Sequence, residues 1–226
     1  MVAVLTLLFL NSFMMPDIPK EEVRNLDTFS GIGISISADV YYIPGNAHEI
    51  KIEGDAKDVD DLITKVEDGF LQVKYPTSWK IRRSKLTIYI TSKDLEAVKI
   101  SGSAKFKAGE PLTTDEMDLA MSGSGDILFE KLIADEVGVK ISGSGCVELL
   151  KGVADELDTR ISGSGKLNAE KFEVSEFSAS ISGSGSIRIT VKEELEARIS
   201  GSGKIYYHGN PRVNSSSSGS GKVVAL

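Results

Sequence analysis

Asp118, Asp158, Arg160 and Arg198 are the residues whose types and spacing come nearest to chemistry. Paired carboxylates can divide acid and base roles in glycosidic cleavage, and a carboxylate beside a cation can abstract a proton from a sugar ring. Asp118 and Asp158 each stand four residues before a Ser-Gly-Ser-Gly phrase, but Gly138 interrupts their series. That pattern is equally what the outward side of an ordinary strand produces, so no catalytic residue is assigned. The two histidines, His48 and His208, lie far apart and suggest neither a zinc pair nor a Ser-His-Asp triad, and no serine sits in a nucleophile elbow. A single cysteine, Cys146, excludes an intrachain disulfide and any multi-cysteine metal site.

A second charged series stands six residues before each phrase: Glu116, Glu136, Glu156, Glu176 and Glu194. Asp115, Asp135, Asp155 and Glu193 run beside it, and Lys131, Lys151 and Lys171 occupy another part of the same repeats. Hard cations want several carboxylate oxygens, which makes a Ca²⁺ edge conceivable, but no Asp/Asn/Gly calcium loop accompanies the series. It is read as a solvated edge that keeps the protein soluble and discourages sideways sheet pairing. No metal and no cofactor is expected. Sugar-binding surfaces use aromatic platforms, and two clusters offer them: Tyr75, Trp79, Arg82 and Arg83, and later Tyr206 with His208. These six residues are the expected ligand contacts; the competing reading is that both clusters cap the ends of the fold.

The elements that must position these residues follow from one phrase. Ser-Gly-Ser-Gly begins at Ser122, Ser142, Ser162, Ser182, Ser200 and Ser218, preceded by a worn copy at Ser101; the intervals are 21, 20, 20, 20, 18 and 18 residues. A fixed period near this length marks a stack of rungs, none able to bury its apolar face alone. One residue before the phrase stand Met121, Ile141, Ile161, Ile181 and Ile199; five before stand Met117, Val137, Leu157, Phe177 and Leu195. Polar residues fill the positions between, and this period of two predicts a strand with one face inward. After the phrase, Ile127, Val147, Leu167, Ile187, Ile205 and Val223 begin a second inward column. By the same alternation Tyr207 faces inward and Tyr206 outward.

Each rung therefore reads as strand, phrase, strand, turn, and stacked rungs give parallel in-register sheets. An antiparallel sandwich would give no reason for identical phrases to recur in phase. The expected fold is all-β, a parallel β-helix or β-solenoid, with inward glycines at its bends and serine hydroxyls bonded from rung to rung. Residues 206–226 read as the closing rung. The earlier chain is less regular. Residues 1–15 resemble the apolar part of a secretory signal, without a preceding Lys or Arg and without a clear cleavage site. Residues 16–27 read as a linker, and 55–66 as the one helix, with Asp55 as N-cap. The expected organisation is residues 1–24 as signal-like segment and linker, then one solenoid domain over 25–226, irregular to 91 and regular over 92–226.

Residues 25–226 resemble a known family. Thr28-Phe29-Ser30-Gly31-Ile32, the Ala38-Asp39-Val40-Tyr41 strand and the Asp94-Leu95 lead into Ser101-Gly102-Ser103 all fit it. So do the phased rungs and Gly209-Asn210-Pro211 before the last phrase. Together they are similar to the bacterial putative auto-transporter adhesin, head GIN domain family. The resemblance implies a right-handed parallel β-helix with a pectin-lyase-like outline, on a protein exported to the periplasm, cell surface or exterior. It brings adhesion as a role and no catalytic residues. A net charge of -7 argues against nucleic acid as partner. The expectation is a non-catalytic surface protein that binds a glycan or protein, with no membrane embedding of the mature domain. The alternatives are a polysaccharide lyase or hydrolase on the same fold, and a structural spacer that self-assembles as a homo-oligomer.

Overall fold

The computed structural model describes residues 19–76 and 83–226. Among the described residues strand accounts for 71% and helix for 3%. The irregular part holds β1 (Lys20–Asn25), β2 (Gly31–Ile34), β3 (Ala38–Pro44), β4 (Glu49–Gly54), α1 (Ala56–Asp61), β5 (Ile63–Glu67), β6 (Phe70–Lys74) and β7 (Leu86–Ser92). The regular part begins with β8 (Ala97–Gly102), β9 (Lys105–Ala108), β10 (Leu112–Thr113), β11 (Glu116–Gly123), β12 (Asp126–Phe129), β13 (Leu132–Gly143) and β14 (Cys146–Leu149). It ends with β15 (Gly152–Gly163), β16 (Lys166–Gly183), β17 (Ser186–Gly201), β18 (Lys204–His208), β19 (Arg212–Gly219) and β20 (Lys222–Ala225).

The strands coil into a β-solenoid of about 6 turns. Its first wall stacks each phrase on the next in parallel register, Ser101 on Ser122, then Ser142, Ser162, Ser182, Ser200 and Ser218. Its second wall stacks Phe106, Ile127, Val147, Leu167, Ile187, Ile205 and Val223. A short third wall carries Leu112, Leu132, Gly152 and Phe172. The inward columns are buried from Met117 through Leu195 and from Ile127 through Ile205. Each such aliphatic or aromatic side chain contributes roughly 1.5–3 kcal/mol on burial, and one apolar core runs the length of the stack. The shortening to 18 residues is absorbed on the third wall, where register shifts fall between Ala169 and Glu173 and between Val174 and Glu176.

The two glycines of each phrase have separate tasks. The first carries the bend: Gly163 has φ 116°, and a Cβ there would stand 2.6 Å from the Gly143 carbonyl oxygen. The second is buried, and at Gly185 a Cβ would meet Ile161 of the preceding rung at 2.7 Å. It is the neighbouring rung, rather than an opposing wall, that crowds both. The expected serine ladder does not form. Among the described residues no phrase hydroxyl bonds another; the corner is tied by backbone N–H groups, Ser164 to the Gly143 carbonyl at 2.9 Å and Ser184 to that of Gly163 at 2.8 Å. The serine side chains are exposed, so water satisfies them without cost.

The N-terminal part departs from expectation in three places. Residues 16–27 contain a strand, β1, paired antiparallel with β4. The helix ends at Asp61: Leu62 is extended with ψ 122°, and Ile63 to Glu67 pair antiparallel with β6 across Asp68-Gly69, both at positive φ. The open edge of β6 competes for this β-branched segment, and the two-residue turn fits a hairpin. Asp55 does cap the helix, accepting from the Lys57 N–H at 3.0 Å. Thirdly, β2 and β3 form a rung of their own. Ile34 pairs Ile100 and Asp39 pairs Lys105, so Ile34-Ser35-Ile36-Ser37-Ala38 is a phrase with its glycines replaced. β6 and β7 add a further parallel rung outside it. The antiparallel strands β5, β4 and β1 then cover the edges that parallel stacking would leave. At the opposite end β19 is exposed throughout, with Ser215 and Ser217 where earlier rungs have apolar residues. The signal-like segment 1–15 lies outside the described residues.

Candidate ligand-binding surface

The outward face of the second wall carries one continuous column. It runs from Lys51 to Tyr89, Tyr41, Lys107, Leu128 and Glu148, and on through Asn168 and Arg188 to Tyr206. Strand alternation sends Val40, Tyr42, Ile88 and Ile90 inward, so Tyr41 and Tyr89 must face out. Register then brings the two rings together: their centroids are 5.4 Å apart and their planes 22° from parallel. Lys51 covers the far face of Tyr89, with Nζ 5.6 Å from the ring centroid. Tyr41 is 38% exposed. Beside it lies a hollow of about 380 Å³ lined by Asp39, Lys107, Asp126, Leu128 and Glu148. Asp39 is held by Lys85 at 2.6 Å, and Lys107 by Glu130 at 3.2 Å. An aromatic ring bordered by fixed carboxylates and amines can stack on the apolar face of a sugar and bond its hydroxyls.

Tyr206 stands in the same column some six rungs away, roughly 29 Å at the spacing of paired strands, with Val224 beyond it. Its ring lies under Arg188, 5.1 Å from the guanidinium carbon, and His208 Nε2 is 3.3 Å from Glu170. The other expected contacts gather at the N-terminal end. Arg83 bonds Asp61 at 2.7 Å and Asp58 at 3.1 Å, with its guanidinium carbon 4.2 Å from the Tyr75 ring centroid. The bond to Asp61 raises the guanidinium pKa further, and burial pushes the Tyr75 phenol up to about 12. Asp58 is buried and also accepts the Ser84 N–H at 2.6 Å. Both Tyr75 and Arg83 thus brace the α1 end, while Trp79 and Arg82 lie outside the described residues. Tyr75 and Arg83 sit at the opposite end of the stack from Tyr206 and His208. Tyr41 and Tyr89 went unrecognised because they are distant in sequence; the alternation around Tyr41 placed it outward, but only pairing stacks it on Tyr89.

Asp158 and Arg160 pair with each other at 2.7 Å on the first wall, both substantially exposed. With Asp118 they border a hollow of about 170 Å³, below the roughly 300 Å³ that encloses a small ligand. The acidic series stacks in register from Glu116 to Glu194, and Arg212 ends it with a 2.7 Å ion pair to Glu194. Among the described residues no three His, Cys, Asp or Glu side chains converge as metal ligands, and no helix is long and apolar enough to cross a membrane.

A family model described as putative auto-transporter adhesin, head GIN domain, matches residues 28–211. A solved structure of a putative adhesin from Bacteroides fragilis NCTC 9343 is similar at TM-score 0.85 and 24% identity, over 92% of this chain and 97% of that one. A putative adhesin from Parabacteroides merdae ATCC 43184 is similar at TM-score 0.75 and 26% identity, over 92% and 96%. A protein from Parabacteroides distasonis ATCC 8503, named a putative lipid binding protein, is similar at TM-score 0.76 and 24% identity, over 92% and 96%. Among curated proteins none matches.

Proposed function

Because the chain belongs to the putative auto-transporter adhesin, head GIN domain family, we propose that it is a non-catalytic, exported adhesion module whose second wall binds a surface glycan. The observation that carries this reading is the stacked Tyr41–Tyr89 pair beside a hollow lined by carboxylates and amines. A sugar ring laid on Tyr41 would exchange a partly hydrated aromatic face for apolar contact and meet Asp126, Glu148 or Lys107 at its rim. Tyr206 and His208 extend the same face, so a longer chain would touch both ends. Export to the periplasm, cell surface or exterior is supported by the family and by the apolar segment at residues 1–15.

Glycan-array binding by the full chain tests the proposal. Tyr41→Ala is expected to weaken binding about tenfold or more, the scale of losing one buried aromatic contact, while the circular dichroism spectrum of the folded chain is retained. Array binding that is indifferent to Tyr41 would refute the assignment of the face. Cleavage of a polysaccharide that is lost in Asp158→Asn would replace the adhesive reading with an enzymatic one.

A further inference from the structure

The first wall holds a hollow of about 620 Å³, a trough running along the solenoid axis. One side is a register column: Gly33, Lys99, Ala120, Lys140, Arg160 and Ser180. The other side is the column of first phrase serines. The floor is formed by the intervening residues Ile100, Met121, Ile141 and Ile161, whose side chains are buried. From Gly33 to Ser180 the trough spans about 24 Å at the spacing of paired strands.

We propose that this trough binds a single strand of a linear acidic polysaccharide, with Lys99, Lys140 and Arg160 holding its carboxylates. The site is separate from the tyrosine face and rests on the adhesive reading only in taking a glycan as ligand. Four observations carry it. First, the cations are available: among the described residues Lys99 and Lys140 pair with no carboxylate, and Lys99 stands over the Phe70 ring at 4.3 Å. Arg160 gives one nitrogen to Asp158, and a guanidinium has further donors to offer. Secondly, the cations are concentrated in a protein of net charge -7. Beyond the serine corner the second wall starts with a column that runs Asp39, Lys105, Asp126, Cys146, Lys166, Ser186, Lys204 and Lys222, four lysines against two aspartates, with Lys105 paired to Asp126 at 3.6 Å. The glutamate column stands four residues up the first wall, about 13 Å away; the nearer carboxylates are Asp118 and Asp158, two residues up, and Asp158 is paired with Arg160. Thirdly, the phrase hydroxyls are exposed and form no rung-to-rung bonds, leaving donors and acceptors for sugar hydroxyls. Fourthly, the small Ala120 separates Lys99 from Lys140, and the small Gly33 and Ser180 flank the row, which leaves room for sugar rings beside the cations.

Shape selects among polyanions. A narrow strand touches the corner alone, whereas a flat anionic membrane or a nucleic-acid duplex would extend onto Glu116, Glu136 and Glu156 and be repelled. The rung spacing is also comparable to the rise of one residue in a linear pyranose chain, so successive acidic sugars can meet successive rungs.

The test is calorimetric titration of the full chain with polygalacturonate oligomers, beside neutral oligosaccharides and phosphatidylglycerol vesicles. The expected result is binding to the uronate that weakens steeply with added salt. It should fall at least about tenfold in the Lys99→Ala/Lys140→Ala double variant, the scale of two lost charge contacts. It should be retained in Lys151→Ala/Lys171→Ala, which removes equal charge elsewhere. No uronate binding, equal loss in the two double variants, or tighter lysine-dependent binding to the vesicles would overturn the proposal. Tyr41-dependent binding to a neutral glycan measured on the same variants reports separately on the adhesive face, so either reading can fail alone.

Discussion

Replacing Gly163 by alanine tests whether the phrase glycines, and not its serines, hold the corner. Gly163 has φ 116°, a backbone conformation costing a side-chain-bearing residue about 1–3 kcal/mol. The added Cβ would also stand 2.6 Å from the Gly143 carbonyl oxygen. That oxygen cannot withdraw freely, because it accepts the Ser164 N–H at 2.9 Å. Relieving such an overlap typically costs a further 1–3 kcal/mol, so Gly163→Ala is expected to destabilise by about 3 kcal/mol. Ser162→Ala, in the same corner, removes an exposed hydroxyl and should stay within about 0.5 kcal/mol of the parent. Urea denaturation followed by far-ultraviolet circular dichroism compares the two. Hydrogen exchange should localise the loss at the Ser164 and Ser184 amides, which join adjacent rungs. A Gly163→Ala protein with the parental midpoint, or a Ser162→Ala protein that falls as far, would refute this account of the corner.

Two further outcomes follow from side chains in place. Arg83→Met should destabilise by about 1–3 kcal/mol, since it leaves the buried Asp58 carboxylate with the Ser84 N–H but without its ion pair; denaturant midpoints measure this, and parental stability would show that Arg83 is dispensable. Cys146 is half-buried, and burial, helped by Glu148 and Asp126, pushes its thiol up to about 11. The reactive thiolate is therefore scarce at neutral pH, and alkylation by iodoacetamide should run about a hundredfold slower than for an unperturbed thiol, accelerating as pH climbs toward 11; fast neutral alkylation would contradict the burial.

The period of the phrase and the alternation on either side of it determined the fold from residues 97 to 226. A solenoid makes this legible because each rung contacts only its neighbours, so one local pattern repeated in phase specifies the whole stack. The outward placement of Tyr206, the inward placement of Tyr207 and the Asp55 cap were legible for the same local reason. What escaped were decisions made between distant segments. Ile34-Ser35-Ile36-Ser37-Ala38 has lost its glycines, so only its pairing with Ile100 and Lys105 identifies it as a rung. Residues 63–66 suit a helix face as well as a strand, and the unpaired edge of β6 decided between them. The serine ladder failed because the corner points its hydroxyls to water, a matter of curvature that composition does not encode. The candidate surfaces belong to this second class. Tyr41 and Tyr89 lie 48 residues apart, and Lys99, Lys140 and Arg160 belong to three different rungs. Period and polarity, both local, settled which residues face out; which of those meet depends on how the rungs stack, and tertiary pairing alone sets that.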